Sequence, residues 1–349
     1  MQLPGILILK TAALGDVLRT TSILPGLAAR HPGSPIVWAT APSAVDLVRT
    51  HPRVAEVVAL GSPAQATLAA RRFEWVISLD DEPALCALAS SLQTARLSGA
   101  YLRPDGSRAY TPDVAPWFDM GLLSVHGKAQ ADRLKILNTH SQPQIYAQML
   151  GIEMGKPLLV LPEAARAGAR AFAQQNFRER VPLVGLNTGA GGRWVSKQLS
   201  VERTVELAGA LSAALHGKVA FLLLGGEAEA ARHAALAAGL RAHPAQPRFA
   251  DAGNKNTLLD FAARVELCAL LVTSDSLALH MALALDRRLV AFFAPTSAAE
   301  IELYGLGEKV VSTAADYCSY RPDADNSSIT VERLLPACLR QLERASGAG

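Results

Sequence analysis

Cysteine is scarce in this chain, with four among 349 residues. Cys86, Cys268, Cys318 and Cys338 form no CxxC pair and show no metal-ligand spacing, which argues against a disulfide framework or a structural zinc site. Cys86 and Cys268 lie in apolar runs, where a small buried thiol is the ordinary reading. Charge of one sign is lacking too. The formal net charge is +3 and no long basic run occurs, so nucleic acid is excluded as a partner. No apolar run approaches ~18 residues, and the opening lacks a basic stretch followed by an apolar core and cleavage site. The expectation is a cytoplasmic protein without a membrane span. Peripheral contact with the inner face of the cytoplasmic membrane stays open.

Hydrophobic residues make up 50% of the chain, enough to fill a large core, and the length suits two domains better than one. Short apolar runs alternate with longer helical patterns. In the first half the strands expected are Ile6–Leu9, Ile36–Ala39, Val57–Leu60 and Trp75–Leu79. Helical spacing covers Val17–Arg30, Ser43–Thr50, Pro83–Leu92 and Ala129–Leu137. The strand runs are continuously apolar, not alternating, which implies sheets covered on both faces. An α/β doubly wound domain follows.

The stretch "RPDGSRAYTPDVAPWFDMG" reads as irregular surface. A polar, alanine-rich helix closed by Pro182 then bridges to a second alternation, with strands at Leu183–Asn187, Val219–Leu224, Leu270–Thr273 and Leu289–Phe293. Its helices fit Val201–Leu215, Glu227–Leu240, Thr257–Val265 and Leu277–Leu285, with a last one over Val331–Glu343. The domain boundaries expected are 1–165, a linker helix over 166–182, a second domain over 183–329, and a terminal helix over 330–349.

Ligands of open α/β sheets bind beyond the carboxyl ends of the strands. Three polar clusters lie there in the second half. "GLNTGAGGRWVSKQLS" offers Thr188, Gly189, Gly191 and Gly192, then Arg193 and Lys197; glycines allow close backbone approach, and amides with cations suit a phosphate. It is neither GxGxxG nor a P-loop, which leaves a nicotinamide enzyme or nucleotide triphosphatase without support. In "LLLGGEAEAARHAA", Glu227 begins a helix, as a hydroxyl acceptor or as a carboxylate favoured by the helix dipole. In "LLVTSDSLALHMALAL", Asp275 and Ser276 stand at a strand-to-helix junction, with His280 one turn on. In the first half, Asp16 stands alone where the first strand hands over to a helix, either a helix cap or a functional acid. Lys10 and Thr11 precede it. Asp80 and Asp81 follow the fourth strand. The D-x-D spacing of Asp323 and Asp325 falls in a polar loop and reads as a solvated turn.

Together the stretches "ILILKTAALGDVLRTTSILPGL", "VGLNTGAGGRWVSKQLSVE" and "LLVTSDSLALHMALALDRRLVAFFAPTSAAEIELYG" resemble glycosyltransferase family nine, the ADP-heptose:lipopolysaccharide heptosyltransferases and their relatives. The resemblance implies a GT-B architecture, two Rossmann-like domains facing across a cleft, the first for the acceptor and the second for a nucleoside-diphosphate sugar. It implies transfer with inversion, without a metal or other cofactor, to a lipopolysaccharide-core or related glycan acceptor. Asp16 matches the family's general base, with Lys10 and Thr11 on the acceptor or phosphate side. Thr188, Gly189, Glu227, Asp275, Ser276 and His280 match donor-binding positions, and either Arg193 or Lys197 is the diphosphate cation. Ser276-Leu277 stands where members often carry Thr-Gly, and Ala294 replaces the glycine usual before Pro-Thr. A nucleotide-sugar epimerase of the same architecture and a catalytically inactive nucleotide-sugar-binding homologue remain the alternative readings.

Overall fold

A computed structural model describes residues 4–177, 179–191 and 194–346. The chain divides into two compact units, 1–160 with Ala299–Glu302, and Leu161–Ala298 with 303–349. Each unit is built on one six-stranded sheet.

In the first unit the strands are β1 (Ile6–Leu9), β2 (Ile36–Thr40), β3 (Glu56–Ala59), β4 (Arg72–Ser78), β5 (Gln93–Leu102) and β6 (Arg108–Tyr110). Their order is β3-β2-β1-β4-β5-β6, all parallel except the antiparallel β5–β6 pair. β1 and β2 are buried at every position, as their unbroken apolar sequences require of strands covered on both faces. Leu7, Leu9, Val37, Val76 and Phe73 pack with Leu88 and Leu92 of the helix-bearing segment after β4.

The second unit repeats the plan with β7 (Leu183–Asn187), β8 (Ala220–Leu223), β9 (Phe249–Asp251), β10 (Leu270–Ser274), β11 (Arg288–Phe293) and β12 (Gly307–Val311). Its order, β12-β11-β10-β7-β8-β9, is wholly parallel. Read from either edge, both sheets follow the doubly wound order. The direction of winding reverses between β1 and β4 in one sheet and between β7 and β10 in the other. Those two reversals are where such sheets open a crevice for a ligand.

Several boundaries differ from the sequence expectation. The helix expected over Val17–Arg30 is broken into Leu14–Thr20, a 3-10 turn Thr21–Ile23 and Leu24–Arg30. Pro25 cannot donate into a continuous helix, and the Thr20 and Thr21 hydroxyls donate to Asp16 O and Leu18 O at 2.6 and 2.7 Å. The stretch read as irregular begins just after β5 and contains the turn and β6. It also contains a single helical turn, Ala115–Phe118.

The helix expected over 166–182 spans Glu163–Asn176 and lies in the second unit, where Arg166 makes a forked ion pair with Glu266 at 2.9 Å. The last helix is Val331–Ser346. It sets Leu334, Ala337, Cys338 and Leu342 into the core of the second sheet.

Candidate active site

The carboxyl ends of β1 and β4 lie side by side: Leu9 is in register with Ser78, and Leu79 N–H donates to Leu9 O at 3.1 Å. The residues that leave those strands meet at once. Asp80 takes an ion pair from the buried Lys10 ammonium. It also accepts from the backbone N–H of Thr11, from the Thr11 hydroxyl at 3.0 Å and from Ala12 N–H at 3.2 Å. One carboxylate therefore fixes the whole turn that leads into the Asp16 helix. Burial by itself would lower the Lys10 pKa. The neighbouring Asp80 carboxylate, with Asp16 and Tyr146 adding to it, outweighs that effect and leaves Lys10 above the ordinary lysine value.

Asp16 is not the helix cap. Ala13 occupies that position, and Asp16 is the acid of the first turn. Its carboxylate pairs with Arg19, one turn on, at 2.9 Å, and its side chain is 38% exposed while that of Arg19 is only 13% exposed. Arg19 lies 5.7 Å from the Trp117 ring centre, and Trp117 meets Tyr146 edge-on at 5.2 Å. Burial pushes the Tyr146 phenol up to about 12. Behind them, the fully buried Gln142 begins a helix whose start is set by a reciprocal Ser141–Gln144 capping box. An accessible carboxylate braced by a sheltered guanidinium is the arrangement a proton acceptor needs.

In the second unit the reversal between β7 and β10 carries a parallel arrangement. Thr273 and Asn187 are in register, and Asn187 Nδ2 donates to Thr273 Oγ1 at 3.0 Å and to Ser276 Oγ at 3.2 Å. Ser276 sits at the N-cap position of the helix Leu277–Ala284, yet its hydroxyl turns to Thr273, at 2.9 Å, instead of capping. Lys197 Nζ donates to both the backbone carbonyl and Oδ2 of Asp275 at 3.0 Å and stands 5.3 Å from the Trp194 ring. His280 is buried, with Nε2 at 3.9 Å from the Asp275 carboxylate. Ser274 Oγ is buried without a protein partner.

Thr188 is buried, and its hydroxyl accepts from Arg232 at 2.9 Å. Gly189 leaves room for Glu229: a Cβ there would lie 2.6 Å from Glu229 Cγ. Glu229, not Glu227, faces the glycine loops. Glu227 is exposed and lies 4.0 Å from an equally exposed Lys255.

Thus Lys10, Thr11 and Asp16 cluster in the first unit, and Thr188, Gly189, Lys197, Asp275, Ser276 and His280 in the second. Glu227 stands apart from the second cluster, and Arg193 lies outside the described residues. The sequence reading did not single out Arg19, Asn187, Glu229 or Arg232. The polar end of the apolar run Leu183–Asn187 was the available signal for Asn187, and the second acid of "GGEAE" was the signal for Glu229. Among the described residues, no three or more His, Cys, Asp or Glu side chains gather so as to hold a metal ion. No described helix is long and apolar enough to cross a membrane. Arg321 pairs with Asp323 at 2.8 Å in the exposed D-x-D loop.

Two doubly wound units of this kind define the GT-B class of fold, and solved structures agree. A family 9 glycosyl transferase from Veillonella parvula superposes with a TM-score of 0.78 at 18% identity, over 99% of this chain and 98% of that one. The ADP-heptose lps heptosyltransferase II of E. coli gives 0.66 at 20% identity, over 98% and 99%. The E. coli heptosyltransferase WaaC with ADP gives 0.59 at 16% identity, over 97% and 98%. No curated protein sequence is similar enough to match. Residues 120–328 match the sequence profile of glycosyltransferase family 9 (heptosyltransferase), and the chain belongs to that family. It is a glycosyltransferase.

Proposed function

We propose that this enzyme transfers a heptose or similar sugar, with inversion and without a metal, from a nucleoside-diphosphate sugar to a lipopolysaccharide-core or related glycan acceptor. The observation that carries the reading is Asp16. It is the exposed, guanidinium-braced carboxylate next to the β1–β4 reversal, whereas Asp80 has its oxygens committed to the turn. The acceptor hydroxyl oxygen forms the new bond to the anomeric carbon as its proton passes to Asp16, and the bond to the diphosphate breaks. Negative charge then grows on the departing nucleotide. Lys197 and the amides at the start of the helix Leu277–Ala284 supply the positive potential it meets.

ADP-heptose is the donor we favour, because two of the similar structures are named as an ADP-heptose enzyme and as a heptosyltransferase with ADP. Work on a growing membrane glycolipid places the enzyme in the cytoplasm, in weak contact with the inner membrane face. A thermal-shift screen against ADP, UDP, GDP and dTDP tests the donor side: ADP should stabilise most. Incubation with donor alone and with donor plus core glycolipid tests the reaction. A new glycosidic bond of inverted configuration is expected. An isomer formed from the donor alone would establish an epimerase instead, and nucleotide binding without turnover would establish an inactive homologue.

A further inference from the structure

Large apolar side chains left in water are few among the described residues, and they are not scattered. Leu122, Val125, Ile136 and Leu137 are 87, 69, 59 and 64% exposed. All four fall in one stretch of the first unit, "LLSVHGKAQADRLKIL". A single exposed apolar residue is ordinary, whereas a group of them marks a surface that something covers. The mechanism above uses none of them.

Hydrogen bonds hold this stretch in place. Gly127 N–H donates to Ser124 O at 3.2 Å, closing a turn before the helix Lys128–Leu137, and the Tyr110 hydroxyl accepts from Val125 N–H at 3.2 Å. Tyr110 itself stacks on Phe118, ring centres 5.4 Å apart, and donates to Asp119. On the helix, Ala131 is buried and Leu134 half-buried, while Arg133, Ile136 and Leu137 share an exposed face by their i, i+3, i+4 spacing. The stretch carries Lys128, Arg133 and Lys135 against one acid, Asp132, which pairs with Lys128. Exposed apolar side chains flanked by cations suit a lipid–water interface with anionic headgroups. A two-fold contact through the same face would instead set its cations against their own copies.

We propose that Leu122, Val125, Ile136 and Leu137, with Lys128 and Arg133, form the surface by which the first unit rests on a bilayer with anionic headgroups. The apolar side chains enter the acyl boundary, and the cations meet lipid phosphates. This rests on the reading of the acceptor as a membrane glycolipid. The surface belongs to the unit that holds the proton acceptor: Trp117, just before the stretch, has its ring centre 5.7 Å from Arg19, the partner of Asp16.

Co-sedimentation of the full chain with phosphatidylcholine vesicles, with and without phosphatidylglycerol, tests the surface. The wild type should sediment with the anionic vesicles at low salt and be released as salt rises. Leu122→Ser combined with Val125→Ser should weaken that partition on the order of tenfold. The melting temperature should not change, because both side chains already lie in water in the fold. Lys128→Gln combined with Arg133→Gln should weaken binding on the order of tenfold for the anionic vesicles alone. Val195→Ser, which removes an exposed apolar side chain of the second unit, should change nothing. Transfer to an acyl-free core oligosaccharide should be equal in L122S/V125S and the wild type. No binding of anionic vesicles by the wild type, full binding by either double variant, or weaker transfer to the acyl-free acceptor by L122S/V125S would overturn the surface. So would a wild-type dimer that L122S/V125S dissociates, since a second copy would then be the occupant. Vesicle binding by the wild type with no transfer to any core acceptor would keep the surface and overturn the acceptor reading instead.

Discussion

The Lys197 ammonium lies 3.0 Å from the Asp275 carboxylate at the β7–β10 reversal, the counterpart of the Lys10–Asp80 pair at the β1–β4 reversal of the other sheet. The two pairs differ in exposure. Lys10 and Asp80 are at most 7% exposed at the side chain, whereas Lys197 and Asp275 are 20% and 19% exposed. The first pair is a structural tie. The second is partly exposed, as the proposed donor site requires.

Lys197→Ala should therefore weaken ADP binding about tenfold, the loss of one charge-assisted contact. Lys218→Ala, an exposed lysine elsewhere in the unit, should leave it unchanged. Calorimetric titration of both variants makes the comparison.

Asp80→Asn should be costly for folding. It leaves the Lys10 ammonium buried without its counter-charge, a loss of about 3–5 kcal/mol. The pair also predicts an alkaline effect. Because Lys10 is raised above its ordinary 10.5 in the fold, its stabilisation is complete below that value and drains away as pH climbs through the folded value. Urea midpoints at about pH 8 and about pH 11 should fall further apart for the wild type than for Asp80→Asn.

His51 predicts an acid effect of the opposite sign. Burial first, and then the Arg53 charge, push its imidazole down from 6.5 to about 4, and its Nδ1 accepts from Arg53 N–H at 3.2 Å. The fold thus favours the neutral ring. Nothing is lost above pH 6.5, and about 2 kcal/mol is lost by roughly pH 4.5, since the unfolded chain takes up the proton first. His51→Gln, which keeps an acceptor but cannot titrate, should flatten this part of the stability profile measured by chemical denaturation.

Arg19→Gln should leave the fold and ADP binding intact while lowering kcat on the order of tenfold, because the guanidinium that holds the Asp16 carboxylate at 2.9 Å is lost and the acid is no longer fixed in one place. Steady-state kinetics beside calorimetric ADP affinity measures the two effects separately.

The doubly wound plan was legible because it rests on unbroken apolar runs such as Ile6–Leu9 and Leu183–Asn187, whose full burial is a direct consequence of their composition. β5 escaped because its sequence, QTARLSGAYL, mixes polar and small residues over a long, half-covered strand. β9 and β12 are short edge strands with little apolar content. The helix Gln142–Leu150 had a readable start in Ser141 and Gln144, but its apolar positions form no long stripe.

At the site, chain position drew notice to Asp16 and Asp275, since each stands where a strand hands over to a helix, and Lys197 stood out as one of two cations in a glycine-rich loop. Partnerships across ~70 residues or more, such as Lys10 with Asp80 and Lys197 with Asp275, depend on which strands become neighbours. Spacing along the chain does not encode that. Glu229 was hidden for the same reason: its partner Gly191 lies in a loop 38 residues away.

In the proposed reaction Asp16 is the group that takes the acceptor proton. The direct test is the turnover of Asp16→Asn with ADP-heptose and a core glycolipid acceptor, alongside calorimetric ADP affinity. The amide keeps the shape but cannot accept the proton at its nitrogen. A fall in kcat of at least about a hundredfold, with ADP affinity and melting temperature unchanged, is predicted; near-native turnover would contradict the mechanism.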